Sequence, residues 1–258
     1  MRYFSAAHTD VGISREKNQD ALCLEIAKTT RGLAAFGILC DGMGGLEAGE
    51  LASAFLVNAF THWFETELPN MLAGNFDFRK IENRWREITK EQAVKIMEYG
   101  RAHAFSKGLG TTLTAVLALE GKYIYIQVGD SRMYKLGSRI EQITKDQTLV
   151  ASEVEQKRLT EEQARTDSRR SILLQCVGAS QTVNPVIGTG TLLPGEELLL
   201  CSDGFRHEIS EQEIFGVLAP ALMSDEKTMK KSLVDLVNLN KNRGERDNIT
   251  VMLFKAVN

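Results

Sequence analysis

The segment FGILCDGMGG (residues 36–45) runs an apolar stretch into Asp41 and then sets three glycines within four residues. LLLCSDG (198–204) repeats the arrangement at Asp203, and YIYIQVGD (123–130) repeats it at Asp130 without a glycine after the acid. Asp20 and Asp247 stand at the other side of such runs, just before ALCLEI and NITVMLF. In antiparallel sheets the end of one strand lies beside the start of its neighbour, so up to five carboxylates can gather on one sheet edge. Gathered carboxylates raise each other's pKa unless cations neutralise them. Oxygen-rich sites of this kind suit Mg²⁺ or Mn²⁺, and two such ions can activate a bridging water and clamp a phosphoryl oxygen. Gly42, Gly44 and Gly45 are expected to let the chain turn sharply there, with the Gly42 carbonyl open to an ion. A single Asp-Gly pair after a strand is most often only a turn, so the shared pattern carries the reading. DGMGG lacks the Walker lysine and the GxGxxG spacing of phosphate-cradling loops, and the ligand spacing of an EF-hand.

The elements that must position these acids are legible in outline. Strand-like runs cover 2–8, 21–27 and 34–40, followed by a helix-like stretch over 46–68 and a loop over 70–84. A second long helix is expected over 85–106, on the spacing of Trp85, Ile88, Val94, Ile96 and Met97. Residues 111–144 read as a strand meander broken at Glu120-Gly121, Gly129-Asp130 and Gly137-Ser138. Residues 146–178 are polar and read as a mobile insertion with short helices. Strands resume at 184–190 and 196–201, helices follow at 211–219 and 225–241, and 248–257 closes as a strand. Strands grouped around helix pairs, without a regular βαβ rhythm, indicate an α+β fold with mostly antiparallel sheets.

The 258 residues suffice for one large domain over 1–258, which would bury roughly three quarters of its unfolded surface. A net charge of −3 gives no general attraction to nucleic acid or to an anionic membrane. Cys23, Cys40, Cys176 and Cys201 show no CxxC pairing and lie in or beside apolar runs, which suits reduced thiols. No run reaches the length of a membrane span, and the N-terminus lacks a signal peptide's apolar region, so a cytoplasmic protein is expected.

Six segments in order, TDVGISREKNQD (9–20), LCDGMGG (39–45), GLGTTLTAV (108–116), VGDSRMY (128–134), LLLCSDGF (198–205) and RDNITVML (246–253), resemble the metal-dependent serine/threonine protein phosphatases of the PP2C family, in their bacterial form. The resemblance implies a four-layer αββα sandwich, two antiparallel sheets flanked by helix pairs, with a binuclear Mn²⁺ or Mg²⁺ site at one edge. It implies that Asp41 bridges both ions, that the Gly42 carbonyl binds one, and that Asp203 and Asp247 hold the other. Asp20 would support the site directly or through metal-bound water, and Asp130 matches a residue of a third, weaker site. Arg15 matches the arginine that grips substrate phosphate, a role suited to a planar, permanently charged fork of donors. The implied reaction is direct hydrolysis of phosphoserine and phosphothreonine on proteins by a metal-bridging water. The expected partners are phosphoproteins, including a eukaryotic-like serine/threonine kinase, met by a monomer.

The chain departs from the family at several points. Met43 stands where many eukaryotic relatives have a histidine proposed as general acid, Gln19 where relatives often have glutamate, and Gln147 where many have histidine. His62 and His103 lie in expected helices and are read as structural, and His207 as a satisfied loop residue. The insertion over about 146–178 matches the family's flap, either selecting substrates or acting as a solvated lid. Two other functions compete: a non-catalytic docking module, and a phosphatase acting on a sigma-factor regulator. Retention of the aspartates and Arg15 counts against the first, since concentrated charge is costly to keep. The intact Arg15 motif and the lack of an attached sensor domain count against the second.

Overall fold

A computed structural model of the chain describes residues 1–43, 48–74, 76–105, 108–180 and 182–258. Its strands are β1 (Arg2–Asp10), β2 (Asp20–Thr29), β3 (Gly32–Asp41), β4 (Leu113–Leu119), β5 (Lys122–Val128), β6 (Arg132–Leu136), β7 (Ile140–Gln142), β8 (Val186–Thr191), β9 (Glu197–Cys201) and β10 (Ile249–Val257). Its helices are α1 (Gly49–His62), α2 (Leu68–Leu72), α3 (Phe78–Ala102), α4 (Leu149–Glu155), α5 (Glu161–Thr166), α6 (Glu211–Leu218) and α7 (Glu226–Asn242). Two five-stranded sheets form, ordered β1-β10-β9-β6-β7 and β2-β3-β4-β5-β8, and every strand pairing in them is antiparallel.

Period-two alternation along the central strands makes the layers. Ala34, Phe36, Ile38 and Cys40 of β3 pack with α1 and α3, where Phe36, Phe60, Trp63, Phe64 and Trp85 form an aromatic core. Ala35 and Leu39 point the other way, into a middle layer with Val116, Leu198, Leu200, Met252 and Phe254. Ile249, Val251 and Leu253 of β10 face outward again, onto the aliphatic side of α6 and α7. The order is therefore helices, sheet, sheet, helices, the αββα sandwich the resemblance implied. Among the described residues no helix is long and apolar enough to cross a membrane, and the four cysteines are free.

Three expectations need correction. The run 111–144 is not one meander: β4 and β5 belong to one sheet, while β6 and β7 cross to the other, where β6 pairs with β9. The first helix does not stop near 68. A π-helical turn (Trp63–Glu67) carries it into α2, because Trp63, Phe64, Leu68 and Leu72 are all buried and hold the chain against the core past Pro69. The second long helix starts at Phe78 rather than 85, since the Asp77 side chain caps it by accepting from the Arg79 amide at 2.9 Å. The short helices expected in the insertion are α4 and α5, each capped by a threonine.

Candidate active site

Asp20 opens β2 and Asp41 closes β3, and the register pairs them directly. Asp130 follows β5, Asp203 begins a short 3₁₀ turn after β9, and Asp247 precedes β10. β9 and β10 pair near this end at Cys201 and Val251, and β6 starts beside Cys201. All five acids thus sit at one end of the two sheets. The pull of the apolar strands into the core leaves them no other place.

Burial pushes Asp41 well above the usual carboxylate range, and Asp20, Asp203, Asp130 and Asp247 push it further, in that order. Asp20 is pushed up to about 7, first by burial and then by Asp203 and Asp247. Neither of its buried oxygens has a well-formed hydrogen bond; the hydroxyls of Thr250 and Ser202 are near enough only to moderate the shift. Asp130 is likewise pushed to about 7, by burial and by Asp203. Unpartnered Asp20 oxygens among mutually repelling carboxylates are a poor hydrogen-bonding design and a good donor set for a hard divalent cation. Among the described residues no three acidic, histidine or cysteine side chains already form a cage. Asp247 is turned onto Arg15, and Asp203 Oδ2 lies 3.4 Å from His207 Nε2.

Asp41 is anchored by its backbone. The Asp41 amide donates to Thr112 Oγ1 at 2.9 Å, and its carbonyl accepts from the Thr112 amide and the Thr111 hydroxyl, both at 2.9 Å. The Gly42 amide donates to the Gln19 carbonyl at 3.1 Å. A Cβ there would strike the carbonyl oxygens of Gln19 and Gly49, so glycine is required by close approach. Gly44 and Gly45, expected to help the turn, lie outside the described residues.

Arg15 grips Asp247 through two bonds, Nε to Oδ1 at 2.9 Å and Nη2 to Oδ2 at 2.7 Å, and stands in the field of Asp41 and Asp203. Its loop closes through Gly12, whose φ of +78° suits glycine and where a Cβ would strike the Asp247 carbonyl.

Several residues that hold the site carried no assignable signal in the sequence. Asn248 donates to the carbonyls of Val11 and Lys17 at 2.9 and 3.1 Å and accepts from the Gln19 amide at 2.8 Å, tying the Arg15 loop to the Asp247 loop. His207 Nδ1 lies 3.1 Å from Glu245 Oε2, while Glu245 Oε1 accepts from the Asp247 amide at 2.8 Å. Burial works against a charged His207, but the bond to Glu245 and the charge of Asp203 outweigh it and raise its pKa. Gln147 accepts from the Gly129 amide at 2.7 Å and from Gln175 Nε2 at 2.9 Å, which joins the insertion to the Asp130 turn. The sequence flagged Gln147 only as a departure from the family, Asn248 only as part of RDNITVML, and His207 only by its adjacency to SDGF. His103 stacks on Tyr99 with centroids 4.0 Å apart, and His62 bonds within its own helical stretch, as expected of structural histidines.

The family model for protein phosphatase 2C matches residues 8–238. The protein phosphatase PhpP of Streptococcus pneumoniae is 33% identical over 247 residues, covering 95% of this chain and 94% of that protein. Among solved structures, the serine/threonine phosphatase Stp1 of Staphylococcus aureus superposes with a TM-score of 0.84 at 31% identity, over 100% of this chain and 96% of that one. The catalytic domain of the serine/threonine protein phosphatase PstP, in complex with two manganese ions, superposes with a TM-score of 0.79 at 29% identity, over 99% of each chain.

Proposed function

The chain belongs to the protein phosphatase 2C family, as a protein-serine/threonine phosphatase that uses divalent metal, and we propose that Asp20, Asp41, Gly42, Asp203 and Asp247 form its metal centre with Arg15 as the phosphate-binding residue. The observation that carries the assignment is the pairing of Asp41 with Asp20 across β2 and β3, within the field of three further carboxylates, with no well-formed hydrogen bond to either buried Asp20 oxygen. Bound there, Mn²⁺ or Mg²⁺ supplies the positive charge that makes the cluster stable and lowers the pKa of water enough for attack on a phosphate ester.

The chain's own residues do the rest. Asp41 feels the charge of the other four acids, and its backbone is anchored to Thr111 and Thr112. Arg15 offers a planar fork to two phosphoryl oxygens and orients the phosphorus for in-line displacement. Asn248 holds the Arg15 loop against the Asp247 loop, so both keep their mutual position as charge redistributes. No histidine stands where Met43 does.

The substrates are phosphoproteins, read as including a eukaryotic-like serine/threonine kinase. Residues 1–258 are read as one phosphatase domain, acting in the cytoplasm as a monomer; the domain reading is supported by bacterial relatives such as PhpP, of which the match covers 94%. A phosphopeptide assay with Mn²⁺, with Mg²⁺ and with chelator tests the function. Release of phosphate from phosphoserine and phosphothreonine peptides only when metal is present is expected; metal-independent turnover would reject the site.

A further inference from the structure

SDGF is followed directly by Arg206 and His207, and the 3₁₀ turn Asp203–Phe205 sends both side chains back towards the carboxylates. The Arg206 side chain is only 13% exposed, a costly position for a guanidinium unless acids meet it. Its Nη2 lies 3.5 Å from Asp130 Oδ2 and 3.2 Å from Asp146 Oδ2, and donates to the Asp130 carbonyl oxygen at 3.1 Å. Asp146 is held at the same time by Arg132, through two bonds of 2.8 Å, and Arg132 also donates to the Tyr134 hydroxyl at 2.8 Å.

Asp130, Asp146, Arg132 and Arg206 thus set two acids against two guanidiniums in one buried cluster. Arg206 Nε has no hydrogen-bond partner, so its charge, rather than a full set of donors, is what it brings. Asp20 is the opposite case: no cation among the described residues meets it, and neither of its buried oxygens has a well-formed hydrogen bond.

We propose that Arg206 takes the place of an ion at Asp130, so that this phosphatase carries two divalent ions and the position of a third is filled by its own guanidinium. The inference rests on the metal-centre reading above. A divalent ion bound to Asp130 would sit about 2.0–2.2 Å from a carboxylate oxygen that Arg206 already approaches to 3.5 Å. Two cations on that one oxygen, with little water to screen them, repel strongly. A guanidinium keeps its charge at every working pH and does not exchange with the medium, but it cannot bind or activate water as a metal does. Arg206 is therefore a positioning residue: it holds Asp130 and the turn after β5 in place whatever the metal concentration.

The test is the number of Mn²⁺ ions bound per chain, measured by equilibrium dialysis with elemental analysis up to millimolar free metal. The wild type and Asp130→Asn are both expected to bind two. Arg206→Met, which keeps an apolar stem, should gain a third, weaker ion, and Arg206→Met combined with Asp130→Asn should lose it again. A wild type that binds three ions and drops one in Asp130→Asn overturns the proposal, as does an Arg206→Met protein that still binds two. Should Arg206→Met fail to fold, the wild type and Asp130→Asn decide the matter between them. A wild type that binds no metal overturns the metal-centre reading instead, a result distinct from a count of three.

Discussion

Where β2 turns into β3 and β4 into β5, the chain closes through residues that satisfy one another; at the opposite end of the same strands, Asp20 and Asp41 face each other with their charge uncompensated. At the first end Gly32 has a φ of +100° and Gly121 a φ of +75°, and Thr29 Oγ1 donates to the Gly32 carbonyl at 2.8 Å. Arg31 pairs with Glu120 at 3.3 Å and lies over the Phe76 ring, 5.2 Å from its centroid, beside a cavity of about 800 Å³. The acids that line that cavity are already met by cations, Glu120 by Arg31 and Asp77 by Arg79. At the second end Asp20 is held near 7, and Asp41 well above the usual carboxylate range. One end stabilises the fold; the other stores repulsion that a ligand can relieve.

The sharpest way to break this contrast is at Asp203. Asp203→Asn should lower kcat by more than about a hundredfold, because an acid of the charge-stabilising cluster is gone. In chelator it should melt no lower than the wild type, since a source of repulsion has been removed. Phosphopeptide turnover and thermal denaturation check the two halves, and unchanged turnover would remove Asp203 from the site.

Arg15→Ala should cost roughly 2–3 kcal/mol of transition-state stabilisation, about 30- to 150-fold in kcat/KM, the worth of a charge-assisted bidentate contact. Mn²⁺ affinity by calorimetry should stay within a few-fold or tighten, because Asp247 loses its present partner. A large loss of metal affinity would make Arg15 part of the scaffold instead.

Glu197 sharpens the comparison from the stable end. It opens β9, is fully buried, and neither carboxylate oxygen has a hydrogen-bond partner. Burial pushes its pKa from the ordinary 4.5 up to about 8, with Lys255 offsetting only part. A folded value above the unfolded one means that the fold disfavours the charged form. The penalty is absent below pH 4.5, grows between there and pH 8, and is constant above. Glu197→Gln should therefore melt like the wild type at acid pH but higher at alkaline pH, by on the order of 2 kcal/mol or several kelvin. A difference that does not change with pH would mean that Glu197 is not a buried acid.

The smallest effect is expected at the hairpin. Gly32→Ala forces a side chain into a left-handed backbone and should cost about 1 kcal/mol, a melting shift of a few kelvin, with kcat unchanged. Loss of activity in that variant would show that the two ends are coupled.

Local pattern made most elements legible. β1, β2, β3, β8, β9 and β10, together with α6 and α7, fall within about two residues of expectation, because alternation and helical spacing are properties of neighbouring residues. The acids were legible as punctuation after or before apolar runs. The helix past Pro69 was not, because burial of Trp63, Phe64, Leu68 and Leu72 overrode a local breaker. Nor was the transfer of β6 to the other sheet: its residues alternate as β5's do, and only pairing with β9 distinguishes them.

The sequence by itself determined which residues alternate, where chains must turn, and that acids stand at those turns, since these follow from side-chain polarity and spacing along a few residues. Tertiary structure alone decided that Asp20 meets Asp41, that Asn248 ties two loops 229 residues apart in sequence, and that Arg206 comes beside Asp130. The physical reason is that electrostatic energy depends on distance and desolvation in space, and neither is a function of separation along the chain.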